Sequence, residues 1–239
     1  MRQEELAVRQ PPAGVRAAEE LRRAGVDARI IDLLRQEPVL ARSSVYQPGE
    51  TLYHEGADVD VVYVPRRGKV KLLSYLPDGR ARIVRLHKRG SVLGLNGLLG
   101  DAHGHTAIAV DQVEAYQIPI NALLALKDDD PLAYSQLLEQ WHRSLSTADT
   151  WITDFSTGAV RGRVARLVQF LIDMDDEHGP CEVALLTGEE MAEVLGVTPE
   201  SISRTLADFK RLGILIPLDD RNAECFRCDL DALASEAES

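Results

Sequence analysis

The chain is poor in cysteine and aromatic residues, lacks long apolar runs, and has no excess of positive charge. Three cysteines in 239 residues, Cys181, Cys225 and Cys228, are too few and too irregular for a disulfide framework. They fit a reducing cytoplasm. No run approaches the roughly 20 apolar residues that span a bilayer, and the charged start MRQEELAVRQ has no apolar core for a secretion signal. No membrane role is expected. Lys and Arg number 27 against 38 Asp and Glu, a net charge of −11. The broad attraction that carries non-specific nucleic-acid binding is therefore missing. Any DNA affinity must come from one fitted surface.

What is present divides along the chain. Residues 1–40 are rich in Arg, Glu, Ala and Leu, broken by Pro11-Pro12, and predict an N-terminal helical arm. Residues 41–126 carry short apolar stretches, Val61–Val64, Val70–Leu73 and Arg82–Leu86, with glycines between them. Closely spaced strands and turns predict a β-roll or jelly roll. Pro77-Asp78-Gly79 predicts a hairpin turn, because proline presets one turn position and glycine accepts positive φ. Residues 130–157 predict a long helix opened by Asp130-Pro131. Leu138, Trp141, Leu145, Ala148, Ile152 and Phe155 recur at steps of 3 and 4, the pattern of a two-helix seam. A homodimer built on those six residues is expected. Residues 158–239 form the C-terminal unit. Its first helix carries Val160, Val164, Leu167, Val168 and Leu171 on one face and is expected to run on to Gly179-Pro180.

Two helices and a tight turn follow. Thr187 with Glu190 three residues on is a capping box. Met191, Ala192 and Leu195 make an inner face, and Gly196 can take the left-handed conformation that stops a helix. Thr198-Pro199 caps and opens the next helix, whose inner face is Ile202, Leu206 and Phe209. Small Ala192 at the crossing, Gly196 at the turn and Ile202 as the plug predict a helix-turn-helix that offers the start of its second helix to a major groove. Glu200, Ser203 and Arg204 face outward there. Arginine matches guanine O6 and N7, and a carboxylate accepts from cytosine N4. Leu212–Ile216 and Cys225–Cys228, around a turn at Asp219–Asn222, predict a wing hairpin. The fold class is α+β: sensor roll, dimerisation helix and winged helix-turn-helix.

In this order the chain resembles the Crp/Fnr family of bacterial transcription regulators. Glu200-Ser201-Ile202-Ser203-Arg204 is similar to the Fnr-branch recognition helix, in which Glu is followed by two residues, then Ser and Arg. The catabolite-activator branch has arginine before that glutamate; here it is Pro199. The resemblance implies TTGAT-like half-sites read by Glu200, Ser203 and Arg204, with phosphate contacts from Thr187, Thr198 and Ser201. It also implies promoter DNA, a second copy and RNA polymerase as partners, and no enzymatic activity. In the cyclic-nucleotide-binding-like sensor, the resemblance places Gly94, Leu95, Asn96, His105 and Thr106 in the effector pocket. Leu95 stands where cyclic-AMP binders carry glutamate, and His105-Thr106 where they carry Arg-Ser. Without a fixed cation for the phosphate, an effector other than cyclic AMP is expected. An iron–sulfur cluster needs about four thiolates; no cysteine precedes Cys181, so none is expected.

Four alternatives stay open. His103-Gly104-His105 could ligate haem, although a solvated loop is the plainer expectation. Cys225 and Cys228 invite a metal or redox role, but two thiolates do not complete a zinc site, and residues three apart on a strand face opposite sides. The roll could also be a cupin-like enzyme using His54, Glu55 and His87, or the protein could bind DNA with no effector.

Overall fold

The computed structural model describes residues 42–238 apart from 176, 177, 220 and 221; at 133, 140, 143–147, 219 and 222–224 only the backbone is described. The arm expected at 1–40 lies outside the described residues.

The sensor is two facing sheets. One has the order β1-β7-β3, formed by β1 (Arg42–Tyr46), β3 (Val61–Arg67) and β7 (Val113–Pro119). The other has the order β2-β6-β4-β5, formed by β2 (Thr51–Tyr53), β4 (Val70–Tyr75), β5 (Ala81–His87) and β6 (Thr106–Ala109). All these pairings are antiparallel. The β4–β5 hairpin turns at Pro77–Gly79 as expected, with Gly79 at φ +84°. Its register steps from Leu72↔Arg85 to Leu73↔Ile83, so Val84 is a bulge. The bulge lets Ile83 and Leu86, three residues apart, share the outer face with Leu73. Inside the roll, Leu52, Tyr63, Val70, Leu72 and Leu93 form a core.

α1 (Ile120–Asp129) and α2 (Pro131–Ser156) follow. The first half of α2 packs Leu137 against Val62, Val64 and Leu123 of the sensor, with Tyr134, Leu138 and Trp141 at the edge. Its second half buries Trp151 and Phe155 against Phe170. This corrects the expected seam at one end. Phe155 is 2% exposed within a single chain, whereas Ile152 is 61% exposed. A helix drifts about 20° per heptad from a strict 3.5-residue repeat. By Phe155 that drift has carried the seam onto the inner face. Leu138, Trp141 and Ala148 are half-buried, and the Leu145 side chain lies outside the description.

The C-terminal unit holds α3 (Val160–Met174), β8 (Glu182–Ala184), α4 (Gly188–Leu195), α5 (Pro199–Arg211), β9 (Leu215–Asp219), β10 (Asn222–Cys228) and α6 (Leu230–Ala237). α3 ends at Met174, short of the expected Gly179-Pro180. Val164, Leu167, Val168 and Leu171 are fully buried, as the periodicity required. The wing is a three-stranded sheet, β8-β10-β9. Its β8 strand and α6 were not read from the sequence. The largest core cluster spans both units: Leu73, Ile83 and Leu86 of the sensor join Met191, Leu195, Ile202 and Phe209.

Candidate nucleic-acid interface and sensor pocket

α4 starts at a complete capping box. The Glu190 N–H donates to Thr187 Oγ1 at 3.2 Å, and the Glu190 carboxylate accepts from the Thr187 N–H at 3.0 Å and its hydroxyl at 2.9 Å. α4 stops at Gly196, φ +63°. α5 is capped by Thr198, whose hydroxyl oxygen accepts from the Ser201 N–H, and has Pro199 in its first turn. Met191 and Ile202 are fully buried and Ala192 nearly so, fixing the angle between the two helices. Glu200, Ser203 and Arg204 are all exposed on α5. The structure thus brings the three expected base readers onto one open surface. The Glu200 carboxylate is held below its usual range by its own backbone N–H and by the Thr198 hydroxyl, so it is charged and turned back on the helix start. The expected phosphate contacts are less free. Thr187 gives its proton to Glu190, and the Thr198 and Ser201 hydroxyls lie 3.2 Å apart.

The sequence did not reveal that the sensor grips α4 at both ends. At its start, Lys71 Nζ of β4 donates to Glu190 Oε1 at 2.8 Å, with both side chains largely buried. Burial alone would raise the Glu190 pKa; the hydrogen bond and charge of Lys71, with the Thr187 bonds, outweigh it and lower it. At its end, Arg82 of β5 donates to the Val194 carbonyl at 3.3 Å, beside Arg163, which donates to the Leu195 carbonyl at 2.9 Å. The last carbonyls of a helix lack internal partners and carry its negative end, so two guanidinium groups suit the position. A Cβ at residue 196 would overlap the Arg82 guanidinium, so glycine serves both the turn and the contact.

In the sensor, four of the five expected pocket residues, Gly94, Leu95, Asn96 and Thr106, hold structure together, while His105 is half-buried. Gly94 is left-handed, and a Cβ there would come within 3.3 Å of the His103 ring. Leu95 is buried among Val62, Val64 and Ile118. Asn96 donates to the Asp101 and Ala102 carbonyls at 3.2 and 2.6 Å. Thr106 Oγ1 accepts from the Glu55 N–H at 3.1 Å. His103 is not in a solvated loop: it is 4% exposed, stacked on Tyr53 with ring centroids 3.6 Å apart. Its packing role leaves haem ligation without support from its position. His54 and Glu55 are exposed while His87 is buried, so they do not form a cupin-like cluster.

The roll does contain a cation that the sequence reading missed. Arg85 pairs with Leu72, and Leu72 with Ala107, which pairs with Tyr53, so the four form one rung across the sheet. Burial pushes the Arg85 pKa down, partly countered by Tyr53. His87, two residues on, is pushed down to about 3 by burial first, then by the charges of Arg85 and His105. The sign of the pH effect follows. His87 stays neutral in the folded chain but takes up a proton near pH 6.5 when unfolded. Its contribution to stability is present above that pH and is lost as pH falls from about 6.5 towards 3. Between pH 7 and 5 the chain should lose about 2 kcal/mol through His87. Urea midpoints of the natural chain and His87→Asn at both pH values test this; equal losses would contradict it.

A β-roll joined through a long helix to a winged helix-turn-helix defines a class of protein, the sensor-coupled DNA-binding regulators. Comparisons with known proteins agree. The cyclic nucleotide-binding domain family matches residues 44–130, and the Crp-like helix-turn-helix domain family matches residues 165–236. The transcriptional regulator LdrP of Thermus thermophilus is 28% identical over 194 residues, covering 80% of this chain and 94% of its own. The CRP-like cAMP-activated global transcriptional regulator of Mycobacterium tuberculosis is 29% identical over 169 residues, covering 69% of this chain and 75% of its own. Among solved structures, FixK2 of Bradyrhizobium japonicum superposes with a TM-score of 0.72 at 25% identity, covering 82% of this chain and 96% of that one. The chain belongs to the Crp/Fnr family and is a DNA-binding transcription regulator, not an enzyme. Among the described residues no helix is long and apolar enough to cross a membrane.

Proposed function

We propose that this regulator acts as a cytoplasmic homodimer that reads TTGAT-like half-sites in promoter DNA and works with RNA polymerase. Glu200, Ser203 and Arg204 are the base readers, and Thr187, Thr198 and Ser201 contact phosphates. The working divisions are a sensor at 41–126, a dimerisation helix at 130–157 and a DNA-binding unit at 158–239. The observation that carries this proposal is the joint exposure of Glu200, Ser203 and Arg204 at the start of α5, which Thr198 caps and Pro199 opens. A gel shift tests it: a TTGAT palindrome should bind, and a scrambled duplex of equal composition should not at the same salt. Equal binding would contradict the assigned half-site.

The dimer seam is Leu138, Trp141, Leu145, Ala148 and Ile152, without Phe155. The support is Ile152, a large apolar side chain left mostly in water on α2. A carboxylate there would be buried without a partner in a two-helix interface. Ile152→Glu is expected to shift the chain from dimer to monomer in sedimentation and to weaken palindrome binding at least tenfold. A dimer that survives the change would remove Ile152 from the interface.

The effector is neither cyclic AMP nor an iron–sulfur cluster. Leu95 has no acceptor for a ribose hydroxyl, and its side chain belongs to the core. All three cysteines lie in the winged-helix unit. The signal has two routes to DNA, through α2 and directly from β4–β5 to both ends of α4. It acts only by binding one arrangement of the dimer better than another. A second proposal, DNA binding with no effector, draws support from the structural use of Leu95, Asn96 and His103. Thermal shift with nucleotides separates the two, because any ligand of the folded state raises the melting temperature.

A further inference from the structure

The Cys225-x-x-Cys228 spacing draws attention to the wrong pair. Residues three apart on a strand face opposite sides, and the structure gives each thiol a different neighbour. The β8–β10 register runs Arg227↔Glu182, Phe226↔Val183 and Cys225↔Ala184. One step further along, the Cys228 N–H donates to the Cys181 carbonyl at 2.7 Å, so these two cysteines stand directly opposite each other. Opposed residues in a hydrogen-bonded antiparallel pair share a face with Cα atoms about 5.5 Å apart. That separation lies within the range a disulfide accepts.

The two thiols differ as an attacking and a resolving sulfur must. Cys181 is half-exposed at the edge of the sheet. Cys228 is buried in the core with Leu215 and Leu233. Burial, with Cys181 alongside, pushes the Cys228 thiol up to about 11, so it remains protonated until it acts. Cys225, on the other face, has its own surroundings. Its Sγ lies 3.7 Å from His178 Nε2, and His178 Nδ1 is 2.9 Å from the nearly buried Asp175 carboxylate.

We propose that Cys181 and Cys228 form a reversible dithiol–disulfide pair that responds to hydroperoxides. The Cys181 thiolate attacks one peroxide oxygen, the O–O bond breaks, and the departing oxygen leaves as water or alcohol once protonated. Cys181 becomes a sulfenic acid. The Cys228 sulfur then attacks the Cys181 sulfur; the S–S bond forms, the S–O bond breaks, and the hydroxyl leaves as water with the Cys228 proton. Two thiols lose two electrons, and one peroxide gains them. A small dithiol reverses the change by thiol–disulfide exchange. The bond fastens β10, the inner strand of the wing, to β8 and closes a long loop that contains both helix-turn-helix helices.

The test uses the full chain treated with a slight molar excess of hydrogen peroxide and digested without reduction. Mass spectrometry should find a Cys181–Cys228 linked peptide two mass units lighter than the sum of its parts, while Cys225 remains a thiol. The melting temperature should rise by at least about 5 °C and return after dithiothreitol. Cys225→Ser should form the same link, and Cys228→Ser should leave Cys181 as a sulfenic acid trapped by dimedone. Three intact thiols after treatment, or a link that joins Cys225 to Cys228, would overturn the proposal.

Discussion

Replacing Arg204 with alanine is expected to lower affinity for a TTGAT palindrome by roughly 100-fold or more at fixed salt. One bidentate arginine–guanine contact is worth about 1–3 kcal/mol of discrimination, and a symmetric dimer loses two. The chain has little non-specific attraction to fall back on, because Glu189, Glu190 and Glu193 sit on α4 and the net charge is −11. Binding to unrelated duplexes should change far less, since Arg204 would be removed from base readout and not from folding. Its side chain is exposed, so the melting temperature should stay within about a degree or two of the natural chain. Equal loss on specific and unrelated DNA would make Arg204 a phosphate contact instead.

Phe209→Ala should have the largest effect on stability, about 3–5 kcal/mol. Phe209 is fully buried and is the bulkiest of the side chains with no exposure. It sits where α5 meets the cluster that joins the two units. Arg161 lies over its ring at 4.8 Å and is paired with Glu236 of α6 and Asp208 of α5. Removing the ring leaves a cavity and takes away the surface that orients Arg161. A domain stable by about 5–15 kcal/mol survives such a loss only narrowly. Denaturant midpoints measure it; a cost under about 1 kcal/mol would mean that the site collapses around the gap. Because the cluster spans sensor and winged helix, both units should melt together.

How much of this was legible in the sequence depends on how local each interaction is. The Thr187–Glu190 box, Gly196 and Thr198-Pro199 are set by residues within four of one another, and all were readable in advance. The hairpin at Pro77–Gly79 was readable for the same reason. The heptad pattern puts Phe155 on the seam, from which its burial inside one chain removes it; such a pattern does not register a small drift that accumulates over 17 residues of helix. Lys71 and Glu190 are separated by 119 residues, and nothing in either segment announces the other. The glycine after His103 suggests a solvated loop, yet Tyr53, far away in sequence, stacks on its ring, and Gly94 leaves room beside it. The strand around Arg85 reads as a plain alternation, and the bulge at Val84 that sets the face of Arg85 is not encoded by spacing. Cys181 and Cys228 meet only through sheet register.

The proposed dimer would set its two recognition helices one turn of DNA apart, roughly 34 Å. The most direct measurement varies that distance. Fluorescence anisotropy should compare two TTGAT half-sites at their symmetric spacing with the same half-sites moved apart by five base pairs, which rotates one to the opposite side of the duplex. The rotated site is expected to bind at least about 100-fold more weakly, close to a single half-site. Equal affinity for the two duplexes would contradict a rigid dimer reading both half-sites through Glu200, Ser203 and Arg204.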